Sequence, residues 1–257
     1  MHYLEFLERL HRVFEPRTYL EIGVRNGNSL SLSRAPSIGI DPRYELTAEL
    51  GERVALFRQT SDEYFAAHDP VDAFGGEPVD LAFIDGMHLI EFALRDFINV
   101  ERHSHPGGLV VLDDVFPPSP AEAARKRRTQ VWTGDVFKIV DVLGRERADL
   151  GLLTVDTEPT GLMLVFRLDP GSERLADRYG AITSACVAPD PQRVPEDMLA
   201  RLGAASPEEA LSAPLWAELR GLRPASPSRC SAASGGAGGP APRSADASRR
   251  GKPCPRP

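Results

Sequence analysis

Two stretches of the chain place acids where apolar runs end. "AFIDGMH" carries Asp85 and His88 three residues apart, and "GGLVVLDDVF" ends its apolar run on Asp113 and Asp114. Carboxylates are seldom buried without partners. Ends of neighbouring parallel strands lie about 5 Å apart, so these three carboxylates are expected to converge. Like charges that close are costly unless a cation sits among them. An all-oxygen set with positions open to substrate oxygens suits a hard divalent ion, Mg2+ first among them.

Such convergence needs a particular scaffold, and the rest of the chain supplies its pattern. "RTYLEIGV" (17–24), "SIGIDP" (37–42), "RVALFRQ" (53–59), "VDLAFIDG" (79–86) and "GGLVVLDDV" (107–115) are short apolar runs of strand character. Between them lie "GNSLSLSRA", "RYELTAELGE", "SDEYFAAHD" and "HLIEFALRDFINVERH", all read as helical. In the last, Leu89, Phe92, Ala93, Phe97 and Val100 form an apolar stripe at spacings of three and four. Strands fed by helices predict an α/β fold, Rossmann-like and doubly wound, with a mostly parallel seven-stranded sheet. After the helix expected in "VFKIVDVLGRE", "LGLLTVD" and "GLMLVFRL" around "TEPT" suit an antiparallel hairpin at the sheet edge. The expected organisation is an N-terminal helix over 1–16, a core over 17–170, a helical extension over 171–222 and a disordered tail over 223–257. Within the extension, helices are expected near 194–203 and 207–221.

Open parallel sheets bind ligands at the carboxyl ends of their strands. The first strand runs into "EIGVRNGNS", where Glu21 is followed by Gly23 and Gly27, glycines that permit a tight turn close to a ligand. The second ends in Asp41, suited to the hydroxyls of a ribose, and the third is followed by Ser61 and Asp62. Together they point to a nucleoside-bearing cofactor. A dinucleotide site asks for G-x-G-x-x-G, yet Arg25 stands where a glycine is wanted and Glu21 would repel a pyrophosphate.

The E-x-G-x-x-x-G turn with its acidic second strand end resembles the S-adenosylmethionine site of class I methyltransferases. The resemblance spans about residues 15–168. It implies that Glu21, Gly23 and Gly27 surround the methionine part of the cofactor, that Asp41 holds the ribose, and that Ser61 and Asp62 lie near the adenine. The carboxylate trio is similar to that of the metal-dependent O-methyltransferases, both the catechol and caffeoyl-coenzyme A type and the antibiotic-tailoring enzymes of actinobacteria. That likeness implies Asp85, Asp113 and Asp114 as metal ligands. In the catechol type the residue three after the first metal-binding Asp is the general base, a lysine; His88 stands there in this chain. A base of pKa about 6.5 suffices for a hydroxyl whose own pKa a divalent ion has lowered. The activity so implied is a Mg2+-dependent methyl transfer from S-adenosylmethionine to a hydroxyl of a small molecule: a natural product, a sugar or a phenol.

Two readings from other classes remain open at this point. A nicotinamide or nucleotide-sugar Rossmann enzyme would show a Tyr and a Lys four residues apart, and Tyr44, Tyr64 and Tyr179 have no such partner. A non-catalytic cofactor-binding module, such as a dimeric regulator, would bind the nucleoside without a metal. The segment "AARKRRTQVWTGDVFK" supplies Arg125, Arg127, Arg128, Trp132, Asp135 and Lys138 after the fifth strand. It is read either as a substrate-facing loop or as a solvated helix start.

Composition narrows the partners. With 257 residues, 42% hydrophobic and 26% charged, the chain is of the ordinary globular class. No apolar run approaches the roughly 18 residues of a spanning helix, and the charged N-terminus does not read as a signal peptide. No membrane partner is expected, and a cytoplasmic location is. Cys186, Cys230 and Cys254 are odd in number and widely spaced, which indicates neither a disulfide framework nor a zinc site. Residues 223–257 hold seven basic side chains against Asp246 alone, a net +6, which leaves −13 of the total −7 to residues 1–222. The tail lacks Leu, Ile, Val, Met and aromatic residues, so it cannot form a core. Nucleic acid is not expected as a partner of the acidic remainder. A homodimer is a candidate, because "MHYLEFLERLHRVF" presents an apolar stripe at helical spacing.

Overall fold

The apolar stripe of the N-terminal segment forms helix α1 (Tyr3–Phe14), opened by His2, whose Nδ1 accepts from the Leu4 N–H. This computed structural model describes residues 1–225, so the tail assigned above lies outside the described residues from 226 onward. Strand β1 (Tyr19–Ile22) leads through a 3-10 turn (Leu30–Leu32) to β2 (Ser37–Ile40) and β3 (Val54–Phe57). Helices α2 (Ser61–Ala67) and α3 (Pro70–Ala73) precede β4 (Leu81–Ile84), then α4 (Ile90–Arg102), β5 (Leu109–Leu112) and α5 (Lys138–Glu146). The edge hairpin is β6 (Gly151–Val155) and β7 (Leu162–Phe166). Four helices close the described chain: α6 (Arg174–Cys186), α7 (Glu196–Leu199), α8 (Pro207–Ser212) and α9 (Leu215–Gly221).

The seven strands form one sheet in the order β3-β2-β1-β4-β5-β7-β6. The first five are parallel; β7 runs antiparallel to β5, and β6 antiparallel to β7. Order reverses between β1 and β4, whose registered pairs end at Ile22 and Ile84, and that switch point puts the ligand crevice over their carboxyl ends. Alternation along each strand assigns its side chains to two cores. Leu20, Ile22, Ala82, Ile84, Val110 and Leu112 pack with residues of α4, α5 and α6. Tyr19, Leu81, Phe83, Leu109 and Val111 pack with residues of α1, α8 and α9. No helix among the described residues is long and apolar enough to cross a membrane.

Several expectations need correction. The apolar stripe of α1, from which dimer pairing was expected, is occupied within the chain, with Phe6, Leu7, Leu10 and Phe14 at most 1% exposed. Each such side chain contributes about 1.5–3 kcal/mol by its burial, so the stripe already serves the fold. Residues 27–35 make only the 3-10 turn, because their serines bond locally: Ser31 Oγ donates to Asn28 O and Ser37 Oγ to Ser33 Oγ. Residues 43–52 form no helix, since Glu45 N–H donates to Arg25 O and the N–H groups of Thr47 and Ala48 to Asn26 O. In the extension, α7 is four residues long and Pro214 divides α8 from α9. Helix α6 was not anticipated; only Leu175 and Ile182 of its thirteen residues are buried. Arg223, counted with the tail, is anchored instead: its Nε donates to Asp80 Oδ1 at 3.0 Å, and its guanidinium lies 4.6 Å from the Phe14 ring.

Candidate active site

A cavity of about 470 Å³ opens over the carboxyl ends of β3, β2, β1, β4 and β5. Along it, in that strand order, lie Ser61 and Asp62, then Asp41, then Gly23 and Arg25, then Asp85, and finally Asp113 and Asp114. Gly23 is required by the backbone itself: its φ is +94°, and a Cβ there would stand 1.9 Å from the Asp85 carbonyl oxygen. The turn after β1 is therefore pressed against the turn after β4. Asp41 fixes the same turn from the other side, accepting the Arg25 N–H at 2.8 Å and the Arg43 N–H at 2.6 Å.

The expected cofactor residues divide into two groups. Gly23, Asp41, Ser61 and Asp62 line the cavity, whereas Glu21 and Gly27 lie behind it. Glu21 shares the sheet face of Tyr19, where it accepts the Tyr19 hydroxyl at 2.6 Å and the Ser29 hydroxyl at 2.8 Å. Gly27, at φ +83°, meets the side chains of Leu46 and Leu50. Asp62 is paired with Arg95 at 2.5 Å.

Burial pushes the Glu21 carboxyl up to about 8 against those two hydrogen bonds. It likewise pushes Asp96, which shares a hydrogen bond with Ser61, up to about 7. Both values lie above those of the unfolded chain, so the folded protein holds protons that the unfolded chain has released between about pH 5 and 8. Stability of the ligand-free protein is therefore expected to fall as pH rises through that window. The thermal midpoint at pH 5 and at pH 8 measures it, and Glu21→Gln should flatten the slope; a midpoint that rises toward pH 8 would contradict the assignment.

At the far end Asp85, Asp113 and Asp114 all line the cavity with His88, but the donor atoms that gather are those of Asp85, His88 and Asp114, not of Asp113. His88 Nδ1 lies 2.5 Å from Asp114 Oδ2, and Nε2 lies 3.5 Å from Asp85 Oδ1. One donor atom each from Asp85, His88 and Asp114 fall within 4.8 Å of one another. Asp113 Oδ1 accepts the Asp114 N–H at 2.8 Å and the Thr160 hydroxyl at 3.4 Å. Burial, then the neighbouring carboxylates, hold Asp85 well above the usual range, and burial with Asp114 pushes Asp113 up to about 8. Burial alone would lower His88, but Asp114 and Asp113 outweigh it and raise its pKa. Among the described residues no Lys or Arg pairs with any of the three acids. That charge imbalance and the oxygen-rich donors fit a divalent cation. Asp114 also adopts φ +63°, a left-handed conformation uncommon outside glycine and typical of functional turns.

Gly134 and Tyr3 gave little warning in sequence, whereas Trp132 and Arg127 stand in the segment read above as a substrate-facing loop or a helix start. The Trp132 ring stacks on His88 at 4.9 Å and 11°, and its Nε1–H donates to Ala124 O. Gly134, at φ +56°, leaves no room for a Cβ beside the His88 carbonyl oxygen. Tyr3 reaches the cavity from α1, its N–H held by Glu158 O. Arg127 and Trp132 line the cavity, but Arg125, Asp135 and Lys138 do not. Those three form a network in which Asp135 pairs with Arg125 at 2.8 Å and Lys138 at 2.9 Å and accepts the Ile90 N–H at the start of α4. Their work is to fix the turn that carries His88.

Comparison with known proteins agrees with this geometry. Residues 20–115 match the family described as a methyltransferase domain. No curated protein matches the chain. Among solved structures, cofactor-bound Rv0187 from MTB is 17% identical with a TM-score of 0.50, over 65% of this chain and 80% of that one. The O-methyltransferase TomG from Streptomyces achromogenes is 19% identical with a TM-score of 0.48, over 64% and 78%. An O-methyltransferase from Bacillus cereus is 17% identical with a TM-score of 0.46, over 64% and 80%. Sheet order and the matched stretch agree: the chain has the Rossmann-like fold of methyltransferases, and residues 20–115 match a methyltransferase domain. The matched domain, residues 20–115, runs from β1 to just past β5 and so contains every strand end that lines the cavity.

Proposed function

We propose that the protein methylates a hydroxyl oxygen of a small molecule, with Mg2+ or another divalent cation held by Asp85, Asp113 and Asp114. The observation that carries this reading is the meeting of Asp85, His88 and Asp114 at the end of a cavity whose other end has the layout of a nucleoside site. S-adenosylmethionine would supply an electrophilic methyl group, and the cation a Lewis acid that lowers the pKa of the acceptor hydroxyl. Gly23 admits the cofactor backbone close to the sheet, Asp41 holds the ribose, and Ser61 with Asp62 borders the adenine. His88 takes the acceptor proton. Asp114 at 2.5 Å orients its ring, and the stacked Trp132 restrains the plane of the imidazole. The remaining wall, with Met87, Val131 and Trp132, offers an apolar surface to an acceptor drawn from natural products, sugars or phenols. We place this activity in the cytoplasm.

Calorimetric titration of S-adenosylhomocysteine, with Mg2+ and then with EDTA, tests the reading. Nucleoside binding in both conditions together with separate saturable Mg2+ uptake is expected. Absence of nucleoside binding would remove the cofactor assignment, and absence of Mg2+ uptake would remove the metal.

A further inference from the structure

We propose that the guanidinium of Arg25 binds the α-carboxylate of the methionine part of S-adenosylmethionine, which rests on the cofactor reading above. The strand order sets where that carboxylate must lie. Ser61 and Asp62 follow β3, Asp41 follows β2, Arg25 follows β1, and Asp85 follows β4. A nucleoside with its ribose at Asp41 and its adenine toward Ser61 therefore lays its amino-acid part over the end of β1, beneath Arg25. The reacting sulfonium then falls between that point and Asp85.

The electrostatics of the cavity make a cation necessary there. Asp41, Asp62, Asp85, Asp96, Asp113 and Asp114 all line it. Those of them that are ionised and unpaired welcome the sulfonium and the amino group but repel a carboxylate. Arg25 and Arg127 are the Arg and Lys side chains in the wall. Arg127 is at the opposite end, where its Nη2 donates to Gln130 O and its guanidinium lies 6.0 Å from the Trp132 ring. Arg25 is exposed, and its guanidinium forms no ion pair among the described residues. Arg25 lines the cavity at the β1 end, next to the β4 end that carries Asp85.

The backbone of Arg25 has φ +50°, a conformation in which glycine is free of the steric cost any side chain brings. The conformation is held from both sides: Asp41 accepts the Arg25 N–H at 2.8 Å, and the Glu45 N–H donates to Arg25 O at 2.8 Å. Glycine would fit this backbone with less strain, so the loop conformation itself does not call for the guanidinium. A guanidinium is suited to a carboxylate because its paired N–H donors match the two oxygens.

The test uses the full chain and two ligands, S-adenosylhomocysteine and 5′-methylthioadenosine, which shares adenine, ribose and sulfur but lacks the amino-acid carboxylate. Arg25→Gly keeps the loop conformation and removes the head group. It should weaken S-adenosylhomocysteine about tenfold to a hundredfold, the range for a hydrogen bond to a charged group, while affinity for 5′-methylthioadenosine is unchanged. Arg25→Lys should fall between Arg25→Gly and the parent. Equal losses for both ligands would mean that Arg25 only shapes the loop, and an unchanged affinity for S-adenosylhomocysteine would mean that it does not touch the carboxylate; either overturns the proposal. If the parent protein binds neither ligand, the cofactor reading itself fails, an outcome distinct from both.

Discussion

Replacing Asp85 with asparagine is expected to lower methyl transfer by about a hundredfold to a thousandfold, to abolish saturable Mg2+ uptake and to leave S-adenosylhomocysteine affinity intact. Asparagine keeps the volume and one acceptor oxygen but removes the charge. In the ligand-free protein that charge is a burden, because burial and the carboxylates of Asp113 and Asp114 hold Asp85 well above its ordinary pKa. The same substitution should therefore raise the thermal midpoint at pH 8, where the parent pays most to keep three acids together. Gain of stability with loss of function marks a residue retained for its chemistry. Turnover that survives the change would remove Asp85 from the reaction, and a lowered midpoint would make it a structural residue held by the Gly23 turn.

The alternation of apolar runs with helical segments was enough to read the sheet, because four of the five parallel strands are buried and leave a near-continuous apolar signature. Strand ends then located the acids, and Asp41, Asp85, Asp113 and Asp114 all reach one cavity. Direction was harder to read. Glu21 lies one residue from the end of its strand and points to the opposite face from Ile22, so a motif position did not translate into a cavity wall. The turn that holds His88 is built by residues more than forty positions away, Trp132, Gly134 and Asp135, and no local pattern links the two segments. Helix α6 escaped for a related reason: only Leu175 and Ile182 are buried, with Ala176, Tyr179 and Cys186 partly buried against the core, so its apolar stripe is thin.

Arg147 presents the largest expected effect on stability, away from the cavity. Its side chain is fully buried and makes paired hydrogen bonds to Glu101 at 2.6 and 2.9 Å, with Asp149 on its Nε and Nη2. Burial alone would lower its pKa, but Glu101 and Asp149 outweigh that and hold the guanidinium charged. Glu101 Oε1 also accepts the Asp169 N–H at 3.1 Å, so the pair joins α4, the end of α5 and the chain after β7. Arg147→Met fills most of the volume but leaves Glu101 buried and unpaired, which costs about 3–5 kcal/mol. For a domain of this size the thermal midpoint should drop by roughly 6–20 °C. The deficit should depend on pH with a definite sign. An unpaired buried carboxylate charge is costly and a neutral carboxyl far less so, so the variant loses least in acid and most near neutrality. Adding Glu101→Gln to Arg147→Met removes the buried charge and keeps an acceptor for Asp169, so the double variant should recover part of the loss and lose the pH dependence. A double variant no more stable than Arg147→Met would show that packing, not the orphaned charge, sets the cost.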